Sequence, residues 1–267
     1  MYMSLDDPQG FHDFHRLNAQ VAQQMRGGGF EPRYVPSLPR EAPLPAYEQL
    51  RRMLTDEADL AEIVVGVDLC HVEEGHPPKG ARDLFRRIRE DAEGDLPLEG
   101  LYHVGEIYFD KSLESAVRWC HEAADLGARR LGHCIALGLD PEASVQRRGV
   151  SHERETVAER LDQIDYDLHH RSALEDAGVE VRPAQLEAER ESLRSQRRQA
   201  IVQRSYDDQR FEQVRRRQAF VLGELSRIGT VIESCPSSNL RLGSVPRPEL
   251  HPVHRFLETD VDLVIGA

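Results

Sequence analysis

The sequence lacks the features of a membrane or exported protein. Among its 267 residues, no stretch approaches the roughly 18 consecutive apolar residues that a transmembrane helix needs. The first thirty residues carry charged side chains where a secretion signal would have an apolar core. We therefore expect a cytoplasmic protein with no membrane partner.

Cysteine is scarce and is not clustered. The four cysteines, Cys70, Cys120, Cys134 and Cys235, show no C-x-x-C spacing, which argues against a zinc knuckle or a dithiol redox site. We expect free thiols in a reducing compartment.

Basic residues are outnumbered by acidic ones. The 34 lysines and arginines against 47 aspartates and glutamates give a net charge of −13, which repels the phosphate backbone of nucleic acids. Nucleic acid is therefore not expected as a general partner. Arginine clusters such as Arg215 to Arg217 leave two alternatives: local binding of nucleic acid or a partner chain, or a solvated, charged helix face.

Short apolar runs rich in β-branched residues are what the chain does contain. Each is followed by a longer polar stretch with helical periodicity, and this alternation predicts βα units. Helices are predicted at 44–54, 80–92, 112–126 and 254–257, with Gly127 as a left-handed cap after the third. The six predicted strands are Arg33–Ser37, Ile63–Leu69, Gly100–Glu106, Arg130–Leu137, Thr230–Cys235 and Asp262–Gly266.

Residues 141–229 interrupt this alternation, because they are dense in Arg, Glu and Gln and contain no strand-like run. An apolar stripe of Val157, Leu161, Ile164 and Leu168 predicts one helix, and a second is predicted from Pro183 to about Leu225. The remaining residues are fewer than the roughly 200 that even a small eight-stranded barrel takes. The sequence therefore predicts an α/β fold, an incomplete TIM-type (β/α) barrel of about six βα units with a long helical-hairpin insertion. Residues 1–140 form its first part, 141–229 the helical insertion and 230–267 its last strands.

Polar side chains stand at the predicted strand ends, where a barrel carries its catalytic groups. An imidazole at His103 can bind a metal, and Glu106, past the glycine at 105, can face the same space as a proton shuttle. His133 ends the next strand in the same way. The alternative is a structural histidine at each strand end. For the later segments Glu233–Asn239 and His251–Pro252, the alternative is a turn with a helix cap.

In kind and order, these motifs resemble the adenosine deaminase family of metal-dependent hydrolases. The matching segments are Asp68-Leu69, His103-Val-Gly-Glu106, Gly132-His133-Cys134, Cys235-Pro-Ser-Ser-Asn239 and His251-Pro252. A helical insertion after the Gly-His strand is also loosely similar to large adenosine deaminase-like proteins of bacterial phage-defence systems.

The resemblance implies a zinc-dependent hydrolytic deaminase of adenosine or a related purine, with a purine nucleoside as substrate. It implies that His103 is a zinc ligand and that Glu106 gives a proton to the purine ring. It further implies that His133 orients and helps to activate the metal-bound water, and that Gly105 contributes to substrate binding.

The chain also departs from the family. The His-x-His pair and the final Asp that complete the zinc site have no counterpart, so one ligand of four is matched, and His71 replaces a small glycine beside the substrate ring. His12 and His15 are predicted to be surface residues. We expect the isolated chain, as a fragment, to bind no stoichiometric zinc, to deaminate no adenosine and to associate into oligomers through open strand edges. The alternative is a non-catalytic, deaminase-like assembly or binding subunit.

Overall fold

The computed structural model describes residues 7–149 and 152–266. It shows a mixed α/β fold with a five-stranded parallel sheet in the order β1-β2-β3-β6-β7 and a separate two-stranded sheet, β4-β5. The strands are β1 (Gly66–Leu69), β2 (Glu99–Val104), β3 (Arg130–His133), β4 (His152–Thr156), β5 (Ile201–Ser205), β6 (Val231–Ser234) and β7 (Leu263–Ile265).

Thirteen α-helices are found in the described part of the chain. The first seven are α1 (Pro8–Gln24), α2 (Pro43–Asp56), α3 (Ala58–Ile63), α4 (Arg82–Ala92), α5 (Leu113–Asp125), α6 (Ile135–Gly138) and α7 (Pro141–Arg148). The other six are α8 (Val157–His169), α9 (Arg171–Asp176), α10 (Pro183–Arg194), α11 (Asp208–Ile228), α12 (Pro236–Arg241) and α13 (Val253–Phe256). Among these residues, no helix has the combination of length and apolar composition that crossing a bilayer takes.

The chain divides into two compact units, residues 1–103 with 125–130, and residues 104–124 with 131–267. In the first unit, β1 and β2 pair in parallel, with Leu69 opposite Tyr102. The predicted strand Arg33–Ser37 makes only two isolated parallel bridges, from Tyr34 to Val64 and from Ser37 to Asp68. This segment lies alongside β1 without forming a full strand.

His15 corrects one sequence prediction, because it is not a surface residue. Its side chain is 1% exposed, its Nδ1 lies 2.6 Å from the hydroxyl of Tyr34, and its ring packs edge-on against Phe11. Burial lowers the pKa of His15 to about 4. The apolar face of α1 therefore includes this histidine as a neutral core residue.

Helix α5 lies in the core, where all but two of its 13 residues are buried. As predicted, Gly127 follows it with a φ of 103°. The predicted strand Arg130–Leu137 is too long, since the chain turns at Cys134 and continues as α6. The apolar residues Ile135, Ala136 and Leu137 belong to that short helix and not to a strand, and all three are buried.

The predicted helical hairpin at 141–229 is wrong in one respect, because β4 and β5 form an antiparallel ladder inside it. The second predicted helix is consequently split into α10 and α11. The first is confirmed: Val157 and Ile164 of α8 are buried, and Leu161 and Leu168 pack against them.

Buried ion pairs connect this segment to α5, and we call them the arginine–glutamate network: Glu114, Glu153, Asp167, Arg204, Arg210 and Arg217. Arg210 donates two hydrogen bonds to Glu114, at 2.7 and 2.9 Å, and also contacts Glu153. Arg217 donates to both oxygens of Asp167, at 2.5 and 2.9 Å. Neither alternative for the cluster Arg215 to Arg217 therefore describes Arg217, which is buried and paired within the protein.

Candidate active site

The ends of β1 and β2 in the first unit bring together Asp68 and His103. The Nδ1 of His103 lies 3.0 Å from an oxygen of Asp68. Because a carboxylate can only accept, Nδ1 carries a proton, and in the neutral form of the ring the lone pair is on Nε2. Metal-ligating histidines are typically oriented in this way by a carboxylate on the opposite nitrogen.

Arg40 ties these two strand ends together. Its Nη2 donates to the carbonyl oxygen of Leu69 at 2.7 Å and to that of His103 at 2.5 Å. The guanidinium also lies over the ring of Tyr102, 4.8 Å from its centroid. Arg40 is 8% exposed, and its hydrogen bonds join the backbone at the end of β1 to the backbone at His103.

In the second unit, four residues meet at the ends of β2, β3 and β6: Glu106, His133, Asn239 and His251. We call them the strand-end site. The Nδ2 of Asn239 lies 3.1 Å from Oε1 of Glu106 and 2.9 Å from Nδ1 of His133. The Nε2 of His133 lies 3.5 Å from Oε2 of Glu106. Asn239 is fully buried, and His133 and His251 are nearly so.

The hydrogen bonds of the strand-end site run in one direction. The backbone N–H of Val253 donates to Nδ1 of His251 at 3.0 Å, so the proton of this imidazole is on Nε2. That nitrogen lies 3.2 Å from Oδ1 of Asn239, which leaves the amide nitrogen of Asn239 to donate to His133 and Glu106. His133 therefore accepts at Nδ1 and carries its proton on Nε2, on the side of Glu106. Burial lowers the pKa of His251, and the nearby charge of His254 adds to this, which favours the neutral form of that imidazole.

The backbone around these side chains is unusual. Gly105 has a φ of +70°, and a Cβ there would lie 2.8 Å from the Sγ of Cys120. His133 and Cys134 follow each other with φ of 70° and 49°. Non-glycine residues in this region cost about 1–3 kcal/mol each and persist where the surroundings enforce them, often at functional sites.

The structure thus brings Glu106 and His133 together, and their catalytic roles stay predictions. Asn239 and His251 are functional candidates that were not selected from the sequence, although both stand in the motifs quoted above. Nothing in the sequence indicates that Arg40 has a structural role at the strand ends, because an arginine in a proline-rich loop is usually solvated. The role of Gly105 in substrate binding stays a prediction; the structure shows instead that its carbonyl accepts from the N–H of Ala136 at 2.9 Å.

No protein-family model matches this sequence, and no match was found among curated proteins. Two solved structures resemble the fold. An adenine deaminase from Arthrobacter aurescens is 16% identical over 96% of this chain and 49% of its own, with a TM-score of 0.48. An amidohydrolase from Burkholderia ambifaria, with bound zinc, is 12% identical over 97% of this chain and 47% of its own, with a TM-score of 0.50. The fold of this chain is therefore similar to part of the amidohydrolase structure. The chain spans about half the length of both structures.

Proposed function

We propose that this chain belongs to a metal-dependent hydrolytic deaminase that replaces the amino group of adenosine or a related purine by hydroxyl and releases ammonia. The observation that carries the proposal is the one-directional hydrogen-bond chain from Val253 to Glu106 and His133. It fixes the protonation of His133 beside a carboxylate in the way that acid–base chemistry requires. The motif resemblance and the amidohydrolase fold support the same reaction class.

Each residue of the strand-end site has a role in this reaction. Glu106 holds a proton and delivers it to a ring nitrogen of the purine, and Asn239 orients its carboxylate by donating to Oε1. His133 directs its Nε2–H toward the space where the attacking water and the leaving amine meet. His251 keeps Asn239 in the orientation that this arrangement needs.

A zinc ion, when bound in such a site, lowers the pKa of its water to about 7 and so supplies hydroxide at neutral pH. His103 fits one position of a zinc site, because Asp68 leaves its Nε2 free of the proton. A catalytic zinc normally has three protein ligands, and the sequence matches only this one to the family. The donor set of this chain is therefore incomplete.

That incomplete donor set favours the second candidate, a non-catalytic relative that keeps the barrel wall and serves in assembly or binding. The two candidate functions predict different coding sequences next to the one that encodes this chain. An active deaminase requires a His-x-His segment and a further Asp encoded with this chain, whereas a binding subunit requires neither.

The test begins with the genomic DNA on both sides of the coding region. Whatever uninterrupted protein it encodes is then expressed with zinc, and ammonia release from adenosine and adenine is measured. We expect activity, and we expect Glu106→Gln to lower kcat by about 10²- to 10⁴-fold because the proton donor is lost. Glu93→Gln, at an exposed position after α4, is the matched control. Absence of the missing ligands together with absence of ammonia release would overturn the deaminase proposal in favour of the binding subunit.

A further inference from the structure

One buried arginine, Arg40, has no acidic partner. Three other arginines are buried in the part of the chain that the structure describes, and each of them pairs with a carboxylate. These pairs are Arg118–Glu159, Arg160–Glu189 and Arg217–Asp167. Arg40 forms no ion pair with any described residue, although an arginine side chain keeps its charge when it is buried. Its charge is therefore not compensated within the described chain.

The hydrogen bonds of Arg40 satisfy only one nitrogen of its guanidinium group. Nη2 donates to the carbonyl oxygens of Leu69 and His103. Nε and Nη1 are buried, and among the described residues they have no acceptor. The ring of Tyr102, under the guanidinium, and the two carbonyl groups carry no formal negative charge. Because a buried charge is costly unless it is paired and hydrogen-bonded, this position favours an anion as a further partner.

Arg40 also lines a cavity of about 150 Å³ in the first unit, beside the end of β1. Gly75 and Gly80 line the same cavity and are exposed, so the cavity reaches the surface. A Cβ added at either glycine would meet no other atom within 4 Å, which shows that the space beside them is open. Pockets for drug-sized molecules measure about 300–1,000 Å³. This cavity is therefore suited to a group of a few heavy atoms.

The carboxylates near Arg40 are engaged by imidazoles. Glu41 follows Arg40 in the chain, but its Oε1 lies 3.7 Å from Nε2 of His76. Asp68 lies at the end of β1 and accepts a hydrogen bond from Nδ1 of His103 at 3.0 Å. Neither carboxylate forms an ion pair with Arg40, so the unsatisfied nitrogens of the guanidinium remain for a bound anion.

We propose that Arg40 and the cavity beside it form a binding site for a phosphate group. Phosphate carries up to two negative charges and offers several acceptor oxygens in a small volume. Arginine is well suited to it, because charge-assisted hydrogen bonds from a guanidinium to phosphate oxygens are strong and directional. The bound group compensates the charge of Arg40 and accepts from its unsatisfied N–H groups.

This site goes beyond the proposed function and does not rest on it. Its ligand is a phosphate group, whatever reaction the strand-end site performs. Because Nη2 of Arg40 also donates to the backbone at Leu69 and His103, a bound phosphate holds the guanidinium in the position that joins these two strand ends. We therefore expect phosphate to stabilise the folded chain.

The test uses the full 267-residue chain in Tris-chloride buffer, titrated with inorganic phosphate in a calorimeter. We expect one phosphate per chain and a rise in Tm on phosphate addition, because a ligand that binds the folded state stabilises it. AMP and adenosine are then added as competitors. Displacement of phosphate by AMP but not by adenosine supports the site and assigns its ligand to a nucleotide. Phosphate binding that neither compound displaces supports the site and assigns its ligand to the free ion.

Variants decide whether Arg40 and the cavity hold the phosphate. We expect Arg40→Met to weaken phosphate binding at least tenfold. Because Arg40 also holds the strand ends, this variant can fail to fold, so Ala81→Leu provides a second test. Ala81 is a buried residue of the cavity lining, and a leucine there fills the cavity while leaving the guanidinium in place. We expect the same tenfold loss. Circular dichroism checks that each variant is folded.

Arg33→Met is the matched control, because it removes one positive charge from a side chain of the same unit that is 47% exposed. Binding that is retained in this control and lost in Arg40→Met and Ala81→Leu supports the proposal. Binding retained in the folded Arg40→Met and Ala81→Leu variants overturns it, as does an absence of phosphate binding in the folded, unmodified chain. Ammonia release by the longer protein is measured separately in phosphate-free buffer, so the failure of either proposal is distinguishable from the failure of the other.

Discussion

Two buried polar regions of the second unit pair their carboxylates differently. In the arginine–glutamate network, burial raises the pKa of Glu114, but the charges of Arg210 and Arg204 outweigh it and hold that pKa well below its ordinary value. In the strand-end site, Glu106 accepts from the neutral amide of Asn239 and lies beside His133. The comparison teaches that buried carboxylates are held in two ways: guanidinium groups neutralise the charge of Glu114 in the network, whereas a neutral, directional amide donor orients Glu106 in the strand-end site.

The largest effect is expected from breaking the network at Arg217. Replacing this arginine by methionine leaves the charge of Asp167 buried without its bidentate partner. Removing one partner of a buried ion pair typically costs about 3–5 kcal/mol. We expect Arg217→Met to lower the free energy of unfolding by this amount in urea denaturation.

A double variant supplies the control for that measurement. Replacing Arg217 and Asp167 together by methionine removes both charges, and we expect it to recover most of the lost stability. If the double variant is as unstable as the single one, packing and not charge pairing accounts for the effect.

A smaller effect is expected from the strand-end site. Asn239→Leu keeps a similar volume but removes the acceptor of His251 and the amide donor that Asn239 supplies to Glu106 and His133. Unsatisfied buried polar groups cost about 1–3 kcal/mol, and we expect a loss of stability in this range, again measured in urea. Asn239→Asp keeps an acceptor for His251 but lacks the amide N–H groups that donate to Glu106 and His133. Equal stability of Asn239→Leu and the unmodified chain would show that the hydrogen-bond chain holds nothing in place.

The smallest effect is a dependence of stability on pH. The pKa of His251 is lowered in the folded state by burial, so just below the ordinary value of about 6.5 the unfolded chain binds more protons than the folded one. Stability therefore rises with pH in that window and is lost as the pH falls through it. We expect urea unfolding at several pH values to show a shallower slope for His251→Gln, which cannot titrate. Matching slopes in the two proteins would assign the acid sensitivity to other groups.

Much of the parallel sheet could be predicted because its strands are short apolar runs between helical stretches, although β7 is largely exposed. The pattern predicts β1, β2, β3, β6 and β7 with errors mainly at their ends, and it also predicts a strand at Arg33–Ser37 that forms only isolated bridges. The ladder of β4 and β5 was missed because its alternation is inverted. Glu153 and Glu155 are the buried residues of β4, at 1% and 0% exposure, and Arg204 of β5 pairs with both. A search of the sequence for alternating apolar residues cannot detect a strand whose buried residues are glutamates.

The site could be predicted in part for a similar reason. Glu106 and His133 each follow a recognisable strand, so their convergence follows from parallel strands that end at one edge. The protonation of His133 depends on Asn239, His251 and a backbone N–H that come from more than 100 residues further along the chain. Only the folded arrangement shows that these groups donate in sequence.

The deep burial of α5 has a consequence for synthesis. Its carboxylate at Glu114 is paired with Arg210, which lies 96 residues later in the chain. At a translation rate of about 5–20 residues per second, Glu114 is synthesised some 5 to 20 seconds before that arginine. During this interval the carboxylate of α5 lacks its later partner. The packing of α5 in the folded protein can therefore be completed only after the start of α11 has been translated.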